Sequence, residues 1–115
     1  MVYHSLGLHY IRNGQNVNAL TALAKAYQAE PLNDRYSYVY AVALKEQGDI
    51  KKALSILLTA HERNAVDMDI LFALASYYLI EKDDQAATVF AQKLVDINPQ
   101  FGTPEQLLQQ LQSGQ

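Results

Sequence analysis

The strongest constraint on this chain is an internal period of 34 residues, which occurs three times in the 115-residue sequence. Shifting the sequence by one period places small residues on small residues and large apolar residues on one another. Three of the resulting columns are Gly7, Ala41, Ala75; Ala19, Ala53, Ala87; and Tyr10, Leu44, Tyr78. A repeat of this length predicts stacked structural units, each of which packs mainly on its neighbours.

Each period contains two stretches in which apolar residues recur at helical spacing. The predicted helices after the first period cover 34–47, 50–63, 67–81 and 84–97. The run 36–42 is aromatic and β-branched, so taken alone it is also compatible with a strand. Its equivalents one period away, 6–11 and 74–79, have helical spacing, and we therefore predict a helix there.

Capping residues agree with these boundaries. Four aspartates stand where a helix begins and where a side chain can accept from free backbone N–H groups, and these are Asp34, Asp49, Asp67 and Asp83. Pro31 and Pro99 stand where helices should end. Lys82 occupies the turn position held by Gly48 one period earlier, so either Lys82 adopts a left-handed backbone or the turn differs.

The last residues predict one more helix, over 103–112. Thr103 is its expected N-cap, Pro104 lies in its first turn, and Gln106 completes a capping box. One face is leucine and the other mostly glutamine, as a helix that closes a repeat array requires. No comparable helix precedes the first repeat, so we expect the chain to be the C-terminal part of a longer protein.

With these residues in place, the sequence resembles the tetratricopeptide repeat family, whose unit is a 34-residue helix–turn–helix. The matching residues are Tyr3, Leu6, Gly7, Tyr10, Gly14, Ala19, Ala26, Pro31, Ala41, Leu44, Gly48, Ala53, Ala60, Leu71, Leu74, Ala75, Tyr78, Ala87 and Pro99. The resemblance implies an all-α, right-handed superhelical solenoid of antiparallel helix pairs. Its expected parts, within one domain, are repeats at 1–33, 34–67 and 68–101 and a capping helix at 102–115.

Composition narrows the range of partners. The net charge of −3 provides no broad basic surface for nucleic acid or anionic membranes. The chain has no cysteine, which excludes disulfides and thiolate chemistry. No apolar run is long enough for a membrane span, and we expect no signal peptide at the start of this chain. The compartment is not indicated.

Catalytic and metal-binding motifs are not found in the sequence. His4 and His9 lie five residues apart and do not share a helix face, and His61 lacks a second histidine at metal-binding spacing. The acidic pairs 67/69 and 83/84 open predicted helices, where capping explains them. We therefore expect no enzyme, no catalytic residues, no metal site and no cofactor.

The resemblance instead implies a protein–protein interaction module, because in that family the first helix of each pair lines a concave groove that holds peptides. The positions that match this groove are His4, Leu8, Ile11, Arg12, Arg35, Tyr38, Val42, Lys45, Asp69, Phe72, Ser76 and Leu79. Half of them are apolar, and exposed apolar surface of that extent marks an interaction site. The alternative is that core packing or preceding repeats cover some of them.

Family members that bind the acidic tails of chaperones line this groove with basic residues and asparagine. The matching positions here are His4, Leu8, Val39, Asp69 and Ala73. This largely apolar set with an added acid does not suit a carboxylate, so we expect a protein or peptide partner with apolar anchors. The competing hypothesis is a structural module that packs on its parent chain or forms a homodimer.

Overall fold

A computed structural model describes the backbone of residues 16–113 and the side chains from residue 18 onward. These residues form six α-helices and one short 3₁₀ turn, with no strand among them. The helices are α1 (Asn16–Ala29), α2 (Asp34–Glu46), α3 (Ile50–Arg63), α4 (Met68–Ile80), α5 (Asp84–Ile97) and α6 (Pro104–Ser113), and the 3₁₀ turn is Pro99–Phe101. The predicted all-α fold is confirmed, and 36–42 is helical. The predicted helix in 6–11 lies outside the described residues.

The chain divides into two compact units, residues 1–60 and 61–115, with the boundary inside α3. In the first unit α1 packs against α2. The rings of Tyr27 and Tyr40 are 5.4 Å apart, and the Lys52 ammonium of α3 lies 5.8 Å from the Tyr40 ring. Tyr40 therefore joins three helices of this unit.

In the second unit α4 packs against α5, and α6 packs on both. The Tyr78 ring of α4 stacks on Phe90 of α5 at 5.8 Å. Leu107 is the buried residue of α6. The C-terminal helix therefore covers apolar surface of the preceding pair, as the sequence predicts.

The described small residues of the repeat are fully buried in both units. The described members of the two small-residue columns, Ala41, Ala75, Ala19, Ala53 and Ala87, are all at most 1% exposed. Helix backbones approach closely only where side chains are this small. The 34-residue period is thus a period of helix contacts.

Three of the four predicted caps are confirmed. The side chains of Asp49, Asp67 and Asp83 accept from the N–H groups of residues 52, 70 and 86 at 3.1–3.2 Å. The prediction for Asp34 is wrong, because Asn33 caps α2 and accepts from the Tyr36 N–H at 3.0 Å. Asn33 has the extended backbone that a cap needs, whereas Asp34 is already helical.

Two equivalent turns join α2 to α3 and α4 to α5. In each, the residue at the turn centre has positive φ, +90° at Gly48 and +61° at Lys82. The following N–H donates to a carbonyl five residues earlier, Asp49 to Leu44 at 2.8 Å and Asp83 to Tyr78 at 2.9 Å. Lys82 therefore takes the left-handed conformation, and the turn itself is unchanged.

The capping box of α6 is formed as predicted. The Thr103 N–H donates to Gln106 Oε1 at 2.9 Å, and the Gln106 N–H donates to Thr103 Oγ1 at 3.1 Å. Pro104 is the first residue of the helix, where its missing N–H costs no hydrogen bond.

Candidate functional site

Four of the predicted groove residues lie on α2. They recur at intervals of three and four residues, which places them along one stripe of the helix: Arg35, Tyr38, Val42 and Lys45. Arg35 is exposed, and its guanidinium lies 5.5 Å from the centre of the Tyr38 ring. Tyr38 and Val42 are half-buried. This stripe therefore exposes part of an aromatic ring and part of a branched side chain beside a cation.

The α4 stripe has the same spacing and consists of Asp69, Phe72, Ser76 and Leu79. Asp69 is exposed, and the other three are half-buried. The Phe72 ring packs edge-on against Phe101 of the 3₁₀ turn, with ring centres 5.4 Å apart. Part of the predicted binding surface of α4 is thus covered by the segment that leads into α6.

The other faces of both helices are core. The buried residues are Tyr36, Ser37, Val39, Tyr40, Ala41, Ala43 and Leu44 on α2, and Ile70, Leu71, Ala73, Leu74, Ala75 and Tyr77 on α4. None of the eight described groove residues belongs to this core. The remaining four, His4, Leu8, Ile11 and Arg12, lie outside the described residues.

Leu79 also lines a cavity of about 370 Å³ beside α6. Its other lining residues are Asp84, Glu105, Leu108, Gln109 and Gln112. None of these five other residues is among the binding residues predicted from the sequence. The only signal was Leu108, an apolar residue on α6 beside the buried Leu107, and it does not say which helix it faces. A second cavity of about 630 Å³ is lined mainly by glutamine, at residues 100, 106, 109 and 110.

His61 is the histidine whose surroundings the structure describes. His61 lies edge-on to Phe90 at 5.4 Å, and its Nδ1 atom is buried with no hydrogen-bond partner in the described part of the chain. Burial, and secondarily the Lys93 charge, lower the pKa of His61 below 6.5, while the Glu62 charge opposes this shift. No set of three potential metal-binding side chains occurs among the described residues.

The pKa of the Tyr78 hydroxyl also differs from its ordinary value. Burial raises its pKa above 10, and the nearby Asp83 carboxylate raises it further. At neutral pH this keeps the phenol protonated. The Tyr78 ring itself stacks on Phe90.

Val39 and Ala73, two of the positions compared with a carboxylate-binding groove in the sequence analysis, are buried and apolar. The third described position, Asp69, is exposed and acidic. Across residues 16–113, no helix combines the length and hydrophobicity that a bilayer span requires.

A family model described as tetratricopeptide repeat matches residues 10–76, which is more than half of the 115 residues. Comparison with curated proteins found no match.

Proposed function

The chain belongs to the tetratricopeptide repeat family, and from this premise we propose that it is a protein-interaction module whose α2 and α4 stripes bind a partner. The partner is a peptide or helix with apolar anchors. Both stripes belong to the first helix of a pair, the helix that lines the binding groove in this family.

The observation that carries the proposal is the partial exposure of large apolar side chains on both stripes. Tyr38, Val42, Phe72 and Leu79 are half-buried, although the opposite faces of their helices are fully packed. A side chain held in place by its buried part retains apolar surface that a partner can remove from water at little entropic cost. Aromatic residues of this kind provide much of the binding energy in protein interfaces.

Charge supports an apolar ligand over an acidic tail. The exposed carboxylate of Asp69 would repel a ligand carboxylate, and the buried Val39 and Ala73 offer no donors to it. An amphipathic helix or an extended segment would place apolar side chains against the stripes and polar ones toward water. Arg35 on the α2 stripe and Asp69 on the α4 stripe are exposed charges, and such charges help to select among partners.

The test begins with selection of ligands from a random-sequence peptide library displayed on phage, using the purified chain as bait. The affinity of a selected peptide is then measured by fluorescence anisotropy for the chain and for the double variant Tyr38→Ala/Phe72→Ala. We expect the double variant to lose roughly tenfold or more in affinity, as truncation of aromatic anchors does.

Two variants control for damage to the fold. Phe101→Ala removes the ring contact between Phe72 and Phe101, as Phe72→Ala does, but it keeps the Phe72 side chain available to a ligand. Val89→Ala truncates an apolar residue of α5 that is 52% exposed and belongs to neither stripe. Unchanged binding by the double variant would refute the assignment of the groove. If no peptide is selected and light scattering shows a dimer at low micromolar concentration, self-association is the function to pursue instead.

A further inference from the structure

The cavity beside α6 is lined by both apolar and acidic side chains. Leu79 of α4 and Leu108 of α6 provide apolar surface, and both are half-buried. Asp84 at the start of α5 and Glu105 in the first turn of α6 add two exposed carboxylates. We call the six residues that line it the cap groove: Leu79, Asp84, Glu105, Leu108, Gln109 and Gln112.

Neither of the two carboxylates is the N-cap of its helix. The α5 helix is capped by Asp83, which accepts from the Ala86 N–H. The α6 helix is capped by Thr103 through its capping box with Gln106. Neither Asp84 nor Glu105 has a side-chain hydrogen bond or ion pair within residues 16–113, and none of the six cap-groove residues is basic. The groove therefore contains two leucines and two carboxylates that have no side-chain partner among residues 16–113.

We propose that the cap groove binds an arginine or lysine side chain of the partner segment that lies along α4. The aliphatic stem of such a residue covers the leucines, while its charged end lies between the carboxylates. The side-chain amides of Gln109 and Gln112 provide acceptors for its remaining donors. No other common side chain combines an apolar stem with a positive end in this way.

Continuity with the α4 stripe indicates the source of this side chain. Leu79 is the last residue of that stripe and also lines the cap groove. A segment anchored at Phe72 and continuing toward the end of α4 therefore arrives at Asp84 and Glu105. This inference rests on the proposed function, because it adds a basic residue at one end of an apolar-anchored ligand.

The experiment uses the same random peptide library, selected on the chain at low salt, with Asp84→Asn/Glu105→Gln as the test variant. The control, Glu62→Gln/Asp96→Asn, removes the same charge from exposed residues outside the groove. We expect the selected peptides to be enriched in arginine or lysine at one side of their apolar residues. We also expect the test variant to bind them about fivefold more weakly, because each exposed ion pair contributes only a small factor. The control should stay within about twofold.

A citrulline substitution in the selected peptide isolates the charge. Exchanging its arginine for this neutral analogue should weaken binding to the chain by the same factor and leave binding to the test variant unchanged. Peptides that require Tyr38 and Phe72 but carry no basic enrichment, or that bind the test variant with full affinity, overturn the cap-groove assignment and leave the proposed function standing. Failure to select any peptide overturns both.

Discussion

Replacing Gly48 with alanine and Lys82 with glycine should change stability in opposite directions, because the two residues occupy the same place in equivalent turns. Both have positive φ, +90° and +61°, and both turns have the same hydrogen bonds. The Gly48 N–H donates to the Lys45 carbonyl, and the Lys82 N–H to the Leu79 carbonyl, each at 3.0 Å. This is the turn that ends a helix with a left-handed residue, for which glycine is suited.

The size of the expected change in the free energy of unfolding follows from the backbone conformation alone. A Cβ added to Gly48 would meet no atom within 4 Å, so alanine creates no clash there. A left-handed backbone costs an L-residue about 1–2 kcal/mol. Alanine offsets part of this cost, because it lowers the conformational entropy of the unfolded chain and thereby stabilises the fold by about 0.4–1 kcal/mol. We therefore expect Gly48→Ala to lower the free energy of unfolding by about 1 kcal/mol. Lys82→Gly should raise it by about 0.5–1 kcal/mol by the same terms with opposite signs.

Urea denaturation followed by circular dichroism measures both changes. Gly48→Asn is the matched control, because asparagine tolerates a left-handed backbone better than alanine and should recover part of the loss. The explanation fails if Gly48→Ala leaves the free energy of unfolding unchanged, or if Lys82→Gly is as destabilising as Gly48→Ala. The first result would mean that the turn changes shape without cost. The second would mean that the Lys82 side chain stabilises the fold by a contact of its own.

Two further predictions concern buried polar groups. Ser37 is 1% exposed, and its Oγ has no hydrogen-bond partner among the described residues. Ser37→Ala should therefore raise the free energy of unfolding by about 1 kcal/mol, and a decrease of that size would contradict the prediction. For His61, the folded-state pKa lies below the unfolded value of 6.5, so the stability is full above pH 6.5 and decreases as the pH falls through 6.5 toward the lower pKa. His61→Gln should remove that part of the pH dependence in urea titrations at several pH values, and an identical pH profile in the variant would exclude the assignment.

The fold could be predicted in detail because its signals are local and repeat. Apolar spacing located the helices, and Asp67 and Asp83 cap the helices that they precede, as expected. The wrong prediction of Asp34 as an N-cap also has a local cause. Asn33 and Asp34 both have side chains that can cap a helix, but only Asn33 has the extended backbone of an N-cap. The left-handed Lys82 was one of two expected outcomes, and helix geometry around the turn selected it.

The candidate site could be predicted only in part. The family resemblance assigns Tyr38 and Phe72 to the binding groove, and the structure shows that both side chains are half-buried, outside the core of their helices. The resemblance could not show that Phe101 covers one side of Phe72, or that Leu108 and Leu79 share a cavity. Those contacts depend on where the 3₁₀ turn and α6 pack in three dimensions, and no period in the sequence encodes that position.

The most direct test of the account is to record intermolecular nuclear Overhauser effects between a selected peptide and the methyl groups of the chain. Val42 and Leu79 each provide a half-buried methyl probe on the two stripes. Val89 on α5 provides an exposed methyl probe that belongs to neither stripe. The account predicts contacts from the peptide to Val42 and Leu79 and none to Val89. Contacts to Val89 without contacts to either stripe would contradict it.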